Sequence, residues 1–334
     1  MNVGILGCAT VARKYVVKAF KAMTEVDKVF IASRDEKKAR SVAKELGIEF
    51  KKSYEEIINS NKIDVVYVPL PIGLHKEWVL KAAKKGKHII CEKSISDSYK
   101  SAKDMVEGCK AKKLTLFENF MCDYHPQHSK VLSMIHDGHI GKVITIKAYF
   151  GFPPLDKKGF RYDKDLGGGS LNDAGAYTTF ISRKMLETEP IAVTCIFEMD
   201  PGAGVDIRGS ALLEFPSNMT ALVSFGFDNV YQNNYSIWGS QGLITVKRAF
   251  SIPPDLKPQI QLYKNKNFQE KYTEIDVLPA NQFELILKDF FQTVLNDDGK
   301  KREEKYEQIL NQARLLEVMR ISANEKRKVR LNEI

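Results

Sequence analysis

Residues 2–23 read Asn-Val-Gly-Ile-Leu-Gly-Cys-Ala-Thr-Val-Ala-Arg-Lys-Tyr-Val-Val-Lys-Ala-Phe-Lys-Ala-Met. Asn2–Leu6 is a short apolar run rich in β-branched residues, which predicts a strand. Gly7-Cys8-Ala9-Thr10-Val11-Ala12 follows at once. From Arg13 to Met23 the apolar residues Tyr15, Val16, Ala19, Phe20 and Met23 recur at helical spacing. Strand, tight turn and helix form the context of a dinucleotide-binding turn. Gly7 permits the turn, and backbone N–H groups at the helix start can face a pyrophosphate. The fingerprint is degraded, because Ala9 and Ala12 stand where second and third glycines would.

The grammar set by this stretch continues downstream. Lys28–Ala32 predicts a second strand and Asp35–Leu46 a charged helix stopped by Gly47. Phe50 begins a short extended piece, and Ser53 caps a helix over Tyr54–Asn59. Strands at Ile63–Val68, His88–Cys91 and Leu114–Phe117 alternate with helices at His75–Lys85 and Ser98–Ala111. Strands apolar throughout, alternating with helices, predict a doubly wound parallel sheet of the Rossmann kind over residues 1–120. After a helix at Gln127–His136 the pattern changes. Candidate strands at Val143–Phe150, Ile191–Met199, Ile207–Phe215, Met219–Phe225, Asn234–Trp238, Leu243–Val246, Ile260–Lys264 and Tyr272–Val277 have few helices between them. Helices at 281–296 and 305–324 close the chain. The expectation for 121–334 is an α+β domain with an open, mostly antiparallel sheet, the two domains meeting at a cleft. The whole is α/β.

Length and composition bound the function. The 334 residues suggest about two domains. Hydrophobic content of 43% and charged content of 28% fit a globular protein with a core. No run of about eighteen apolar residues is present, so no membrane span is expected. The absence of a basic-then-apolar leader makes the cytoplasm the default location. Five scattered cysteines suit reduced thiols. The net charge of +9 rests mostly on lysines spread along helices, with no aromatic-interleaved basic stripe, which speaks against nucleic-acid binding.

Four stretches carry chemistry. Ser33-Arg34-Asp35 ends the second strand, where a carboxylate would bind a ribose 2′-hydroxyl. A hydroxyl and a guanidinium suit a 2′-phosphate instead, which favours NADP, while Asp35 keeps NAD in reach. Glu92-Lys93-Ser94 ends a sheet strand, so Lys93 is either the ion-pair partner of Glu92 or a catalytic cation. In Gly167-Gly168-Gly169-Ser170-Leu171-Asn172-Asp173-Ala174-Gly175-Ala176-Tyr177 a short helix would put Asp173 and Tyr177 on one face, an acid and a phenol able to handle a proton. Cys122, His125 and His128 lack a second ligand pair at metal spacing, so no metal site is expected.

In this order the four stretches resemble the glucose–fructose oxidoreductase / inositol dehydrogenase (Gfo/Idh/MocA) superfamily over nearly the whole chain. Glu92-Lys93-Ser94 is similar to its Glu-Lys-Pro, and Leu70-Pro71-Ile72-Gly73-Leu74-His75 to its cofactor-bordering loop. Gly167–Tyr177 is similar to its Gly-rich motif, in the branch ending in Tyr. Phe225–Asn229 and Tyr235–Ser240 look most like sugar and nucleotide-sugar 3-ketoreductases. Cys122-Asp123 departs from the Tyr-Arg of many relatives, so a basic group is missing there.

The resemblance implies Lys93, Tyr177 and Asp173 as the catalytic set. It implies Gly7, Cys8, Ala9, Thr10, Val11, Ala12, Ser33, Arg34, Leu70, Pro71, His75, Glu92, Lys93, Asn119 and Arg161 around NADP, with NAD the alternative. The expected reaction is hydride transfer between nicotinamide and a carbonyl or hydroxyl carbon of a sugar or nucleotide sugar. The alternatives are a dehydrogenase of a free aldose or small diol and a non-catalytic dinucleotide sensor. A homodimer or homotetramer through the C-terminal sheet is expected. Val223, Phe225 and Phe227 would otherwise leave an apolar face uncovered.

Overall fold

The computed structural model describes residues 1–154 and 156–334. Two compact units form, one of Met1–Met121 with Phe283–Ala313 and one of Cys122–Gln282 with Arg314–Ile334.

The first unit holds β1 (Asn2–Leu6), β2 (Lys28–Ala32), β3 (Glu49–Phe50), β4 (Val65–Val68), β5 (His88–Cys91) and β6 (Leu116–Glu118). They order β3-β2-β1-β4-β5-β6, every pair parallel. Strand order reverses beside β1, so the carboxyl ends of β1, β2 and β4 border the crevice where such sheets bind ligands. Local chemistry sets the helix ends. Asp35 and Ser53 accept backbone N–H bonds as caps of Glu36–Leu46 and Tyr54–Asn59, and Gly47 closes the former in the left-handed region at φ 61°. The opening helix is less regular than its periodicity predicts: Ala12–Val16 is a π-turn that runs into an α-helix over Val17–Ala22.

Nothing in the sequence takes Phe283–Ala313 out of the second domain. In the structure these residues cluster with the first unit. Phe290 meets Phe117 edge-on at 5.2 Å and Phe291 meets Phe20 at 6.3 Å. Tyr306, Ile309 and Ala313 join the core that β4 and β5 line. Helical periodicity marks an apolar stripe but not the surface that buries it.

The second unit is built on β7 (Val143–Gly151), β8 (Ala192–Met199), β9 (Asp206–Glu214), β10 (Thr220–Gly226), β11 (Gln232–Gly239), β12 (Leu243–Lys247), β13 (Gln259–Lys266), β14 (Gln269–Ile275) and β15 (Val329–Arg330). The order is β14-β13-β12-β11-β7-β10-β9-β8-β15, antiparallel except for the β7–β10 pair. One face is packed within the unit: Gly175 sits so close to Phe225 that a Cβ would lie 3.1 Å from its ring. The expectation that Val223, Phe225 and Phe227 form an uncovered apolar face is therefore wrong, since all three are buried. Leu222, beside Val223, points the other way and stands 41% exposed, with Ile196 of β8 at 70% and Trp238 of β11 at 54% two strands away on the same face.

Candidate active site

The two units carry separate sets of candidate residues. In the first, Gly7 follows β1 at φ 107°, and its N–H donates to Ala32 O at 2.8 Å, joining the ends of β1 and β2. A Cβ on Gly7 would lie 3.1 Å from Leu70 and 3.5 Å from the Tyr54 hydroxyl. Only glycine leaves this hollow open for a ligand. Ala12 is fully buried and Ala9 half-buried, so both act as small packing residues where further glycines would stand. Thr10 and Val11 open the helical run. Cys8 is half-buried beside Ser33, and burial pushes its thiol up, away from the reactive thiolate.

The end of β2 separates its charges by task. The Asp35 carboxylate accepts from Lys38 N–H at 3.1 Å as a helix cap, and Asp35 N–H donates to the Ser33 hydroxyl. Arg34 is exposed and makes no ion pair among the described residues. A guanidinium without a carboxylate, beside a carboxylate occupied in capping, fits a 2′-phosphate better than a bare ribose.

Farther along the same sheet edge, Glu92 follows β5 half-buried. Its Oε1 accepts from the Tyr67 hydroxyl at 2.6 Å and from Asn119 Nδ2 at 2.5 Å. Burial pushes this carboxyl up, against the hydrogen bonds and the neighbouring Lys93 that hold it down. Asn119 is itself pinned by its N–H to Cys91 O, and its Oδ1 is buried without a partner. Lys93 is half-buried at the β5 terminus. His75, expected near the cofactor, is fully buried instead. Its Nε2 lies 2.8 Å from Leu70 O and its Nδ1 3.1 Å from Ser94 O. Burial pushes its pKa down. His75 thus ties the Leu70-Pro71 loop to the segment after Lys93 and presents no ring edge to a ligand.

In the second unit the glycine run is a tight cradle. Gly168 N–H donates to Asp163 O and Gly169 N–H to Arg161 O, each at 2.9 Å. A Cβ on Gly168 would lie 2.5 Å from Arg161 O, and one on Gly169, at φ 111°, 2.3 Å from Asp206 Oδ1. Leu171–Gly175 then forms a π-turn leading into the α-helix Ala176–Leu186, in place of one short helix. Asp173 lies within this wider turn and Tyr177 in the first turn of the helix that follows, and such turns concentrate at functional sites. The Asp173 carboxylate pairs with Arg161 Nε, so Arg161, expected at the cofactor, is the partner of the candidate acid. Tyr177 is 6% exposed, its ring edge-on to Phe150 at 5.1 Å and tilted on Phe250 at 5.7 Å.

Asp123 forms an ion pair with Lys184, which lies on the helix of Tyr177 seven residues on. A basic group absent from the Cys122-Asp123 stretch is thus supplied beside it by another element. His128 is structural: Nδ1 meets the Tyr235 hydroxyl and Nε2 meets Ala249 O, both at 3.0 Å. Burial pushes its pKa down to about 3, and that of His125 down to about 4. Among the described residues no three His, Cys, Asp or Glu side chains group as metal ligands.

Sequence reasoning missed Tyr54, Tyr67, Asp206 and Arg320. Tyr54 and Tyr67 read as core aromatics, and only the fold brings their hydroxyls to Gly7 and Glu92. Asp206 and Arg320 lie far along the chain from Leu171 and Asn172, to which they bond.

Comparison with known proteins places the chain in a family. Residues 1–120 match the model of the oxidoreductase family GFO_IDH_MocA, NAD-binding Rossmann fold, and residues 128–245 that of the GFO/IDH/MocA C-terminal domain. The chain is 32% identical to a dTDP-3,4-didehydro-2,6-dideoxy-alpha-D-glucose 3-reductase of Actinomadura kijaniata, over 97% of this chain and 96% of the relative. It is 36% identical to D-xylose 1-dehydrogenase (NADP(+)) 2 of Haloferax volcanii, over 76% and 78%. A crystal structure of a 3-ketoreductase from Actinomadura kijaniata, in complex with NADP and TDP-benzene, superposes with a TM-score of 0.91 at 30% identity, covering 96% of this chain and 97% of that one. The chain belongs to the Gfo/Idh/MocA family of oxidoreductases.

Proposed function

We propose that this protein is an NADP(H)-dependent ketoreductase that reduces a ring carbonyl of a nucleotide-linked sugar. The observation that carries the reading is the joint presence of Lys93, Asp173 and Tyr177 in a chain alike, over 97% of its length, to a nucleotide-sugar 3-reductase. Gly7, Ala9, Ala12, Ser33 and Arg34 would hold the dinucleotide, with Arg34 on the 2′-phosphate. When bound, NADPH supplies a hydride from its nicotinamide ring. This chain supplies the proton and the placement. Tyr177 donates its phenolic proton to the carbonyl oxygen. A free phenol titrates near pH 10, so the phenolate left behind needs a cation, and Lys93 is the candidate that the family resemblance supplies for that role. Asp173, oriented by Arg161, accepts a sugar hydroxyl.

Oxidation of a free aldose by the same residues is the second reading, favoured by the 36% identity to a xylose dehydrogenase. Assaying NADPH oxidation with keto-sugar nucleotides beside NADP⁺ reduction with free aldoses separates the two. Turnover of the former alone is expected, turnover of the aldoses alone establishes the second reading, and turnover of neither returns a dinucleotide sensor.

The proposal includes a homodimer or homotetramer joined through the outward sheet face. Leu222, Ile196 and Trp238 form an exposed apolar surface there. Leu222→Glu is expected to reduce the mass seen by light scattering to that of a monomer. A wild-type chain that is already monomeric at micromolar concentration removes this part of the proposal.

A further inference from the structure

Asp206 opens β9, outside every motif that points to the reaction. Its Oδ2 accepts two hydrogen bonds from the start of the π-turn, from the Ser170 hydroxyl at 2.7 Å and from Leu171 N–H at 2.6 Å. Its Oδ1 occupies the space that a Cβ on Gly169 would need, at 2.3 Å. The last glycine of the run is thus a glycine because this carboxylate stands against it. A second brace approaches from the closing helix. Arg320 Nη2 donates to Asn172 Oδ1, and Asn172 Nδ2 donates to Gly167 O at 3.0 Å. Burial pushes the Asp206 carboxyl up, while the Ser170 and Leu171 bonds and the Arg320 charge oppose that shift. A half-buried anion below the first N–H groups of a helical segment also complements the helix dipole.

We propose that Asp206 is a positioning residue for the reaction, setting where the π-turn begins and thereby where Asp173 and Tyr177 are held. A neutral asparagine in its place keeps the shape, but the bonds from Ser170 and Leu171 lose their charge-assisted strength and an NH2 stands where Oδ1 lies against Gly169. The weaker brace lets the turn shift. Displacement of a catalytic group by about 1 Å is enough to slow a reaction up to about a hundredfold.

The inference rests on Tyr177 as the proton donor, and the test separates the two. In Asp206→Asn, kcat is expected to fall about tenfold or more, while the Kd for NADPH from fluorescence titration stays within about twofold of wild type, because the dinucleotide residues lie in the other unit. An unchanged kcat overturns the proposal, as does a parallel loss of kcat and NADPH affinity, which would mark a general loss of structure. If Asp206→Asn does not fold, Ser170→Ala decides. It removes one donor only, so a severalfold loss of kcat with unchanged NADPH affinity supports the role and a normal kcat overturns it. Tyr177→Phe measured alongside tells which idea failed. A slow Tyr177→Phe with a normal Asp206→Asn rejects the positioning role alone, and a normal Tyr177→Phe rejects the proton donor itself.

Discussion

Tyr177→Phe is expected to lower kcat about a hundredfold or more, the usual size of a lost general acid, equivalent to about 2.7 kcal/mol of transition-state stabilisation. The substitution is clean because the Tyr177 ring is already buried in an aromatic pocket. A phenyl ring in its place would keep the contacts with Phe150 and Phe250. The loss should appear in kcat more than in the KM for the sugar. A near-normal turnover would transfer the proton to Lys93, in which case Lys93→Met abolishes activity and Tyr177→Phe leaves it. The measurement is steady-state NADPH oxidation with a keto-sugar nucleotide, alongside a thermal melt.

Arg34→Ala is expected to raise the KM for NADPH about ten- to a hundredfold, the range for losing charge-assisted bonds to one phosphate, and to leave the KM for NADH nearly unchanged. The asymmetry follows from the end of β2. Asp35 is engaged as a helix cap through Lys38 N–H, and Ser33 accepts from Asp35 N–H. Arg34 has no competing carboxylate among the described residues. Equal effects on the two cofactors would show that the 2′-phosphate is held elsewhere.

Much of the fold is legible because it is written locally. The cap at Ser53 and the stop at Gly47 each depend on one residue and the adjoining turn of backbone. The apolar strands β1, β2, β4 and β5 announce a sheet covered on both faces. The candidate site is legible to the same depth. Gly7, Arg34, Lys93, the three glycines and Tyr177 stand at element ends that can be found from periodicity. Their partners cannot be found this way. Arg161, implied at the cofactor, pairs with Asp173. His75, implied there too, is buried and bonded to backbone carbonyls.

Local patterning carries the kinds of element, their order, and the parallel sheet followed by a largely antiparallel one. Long-range packing settles which face of the second sheet is inside, that Phe283–Ala313 returns to the first unit, and that Asp206 stands under the turn that bears Asp173 and leads into the helix of Tyr177. The reason is range. Alternation in β10 separates Leu222 and Ser224 from Val223 and Phe225 but is symmetric about which set is covered. A hydrogen bond from Leu171 to Asp206 spans 35 residues of chain, and only the packed sheet brings those two atoms to 2.6 Å.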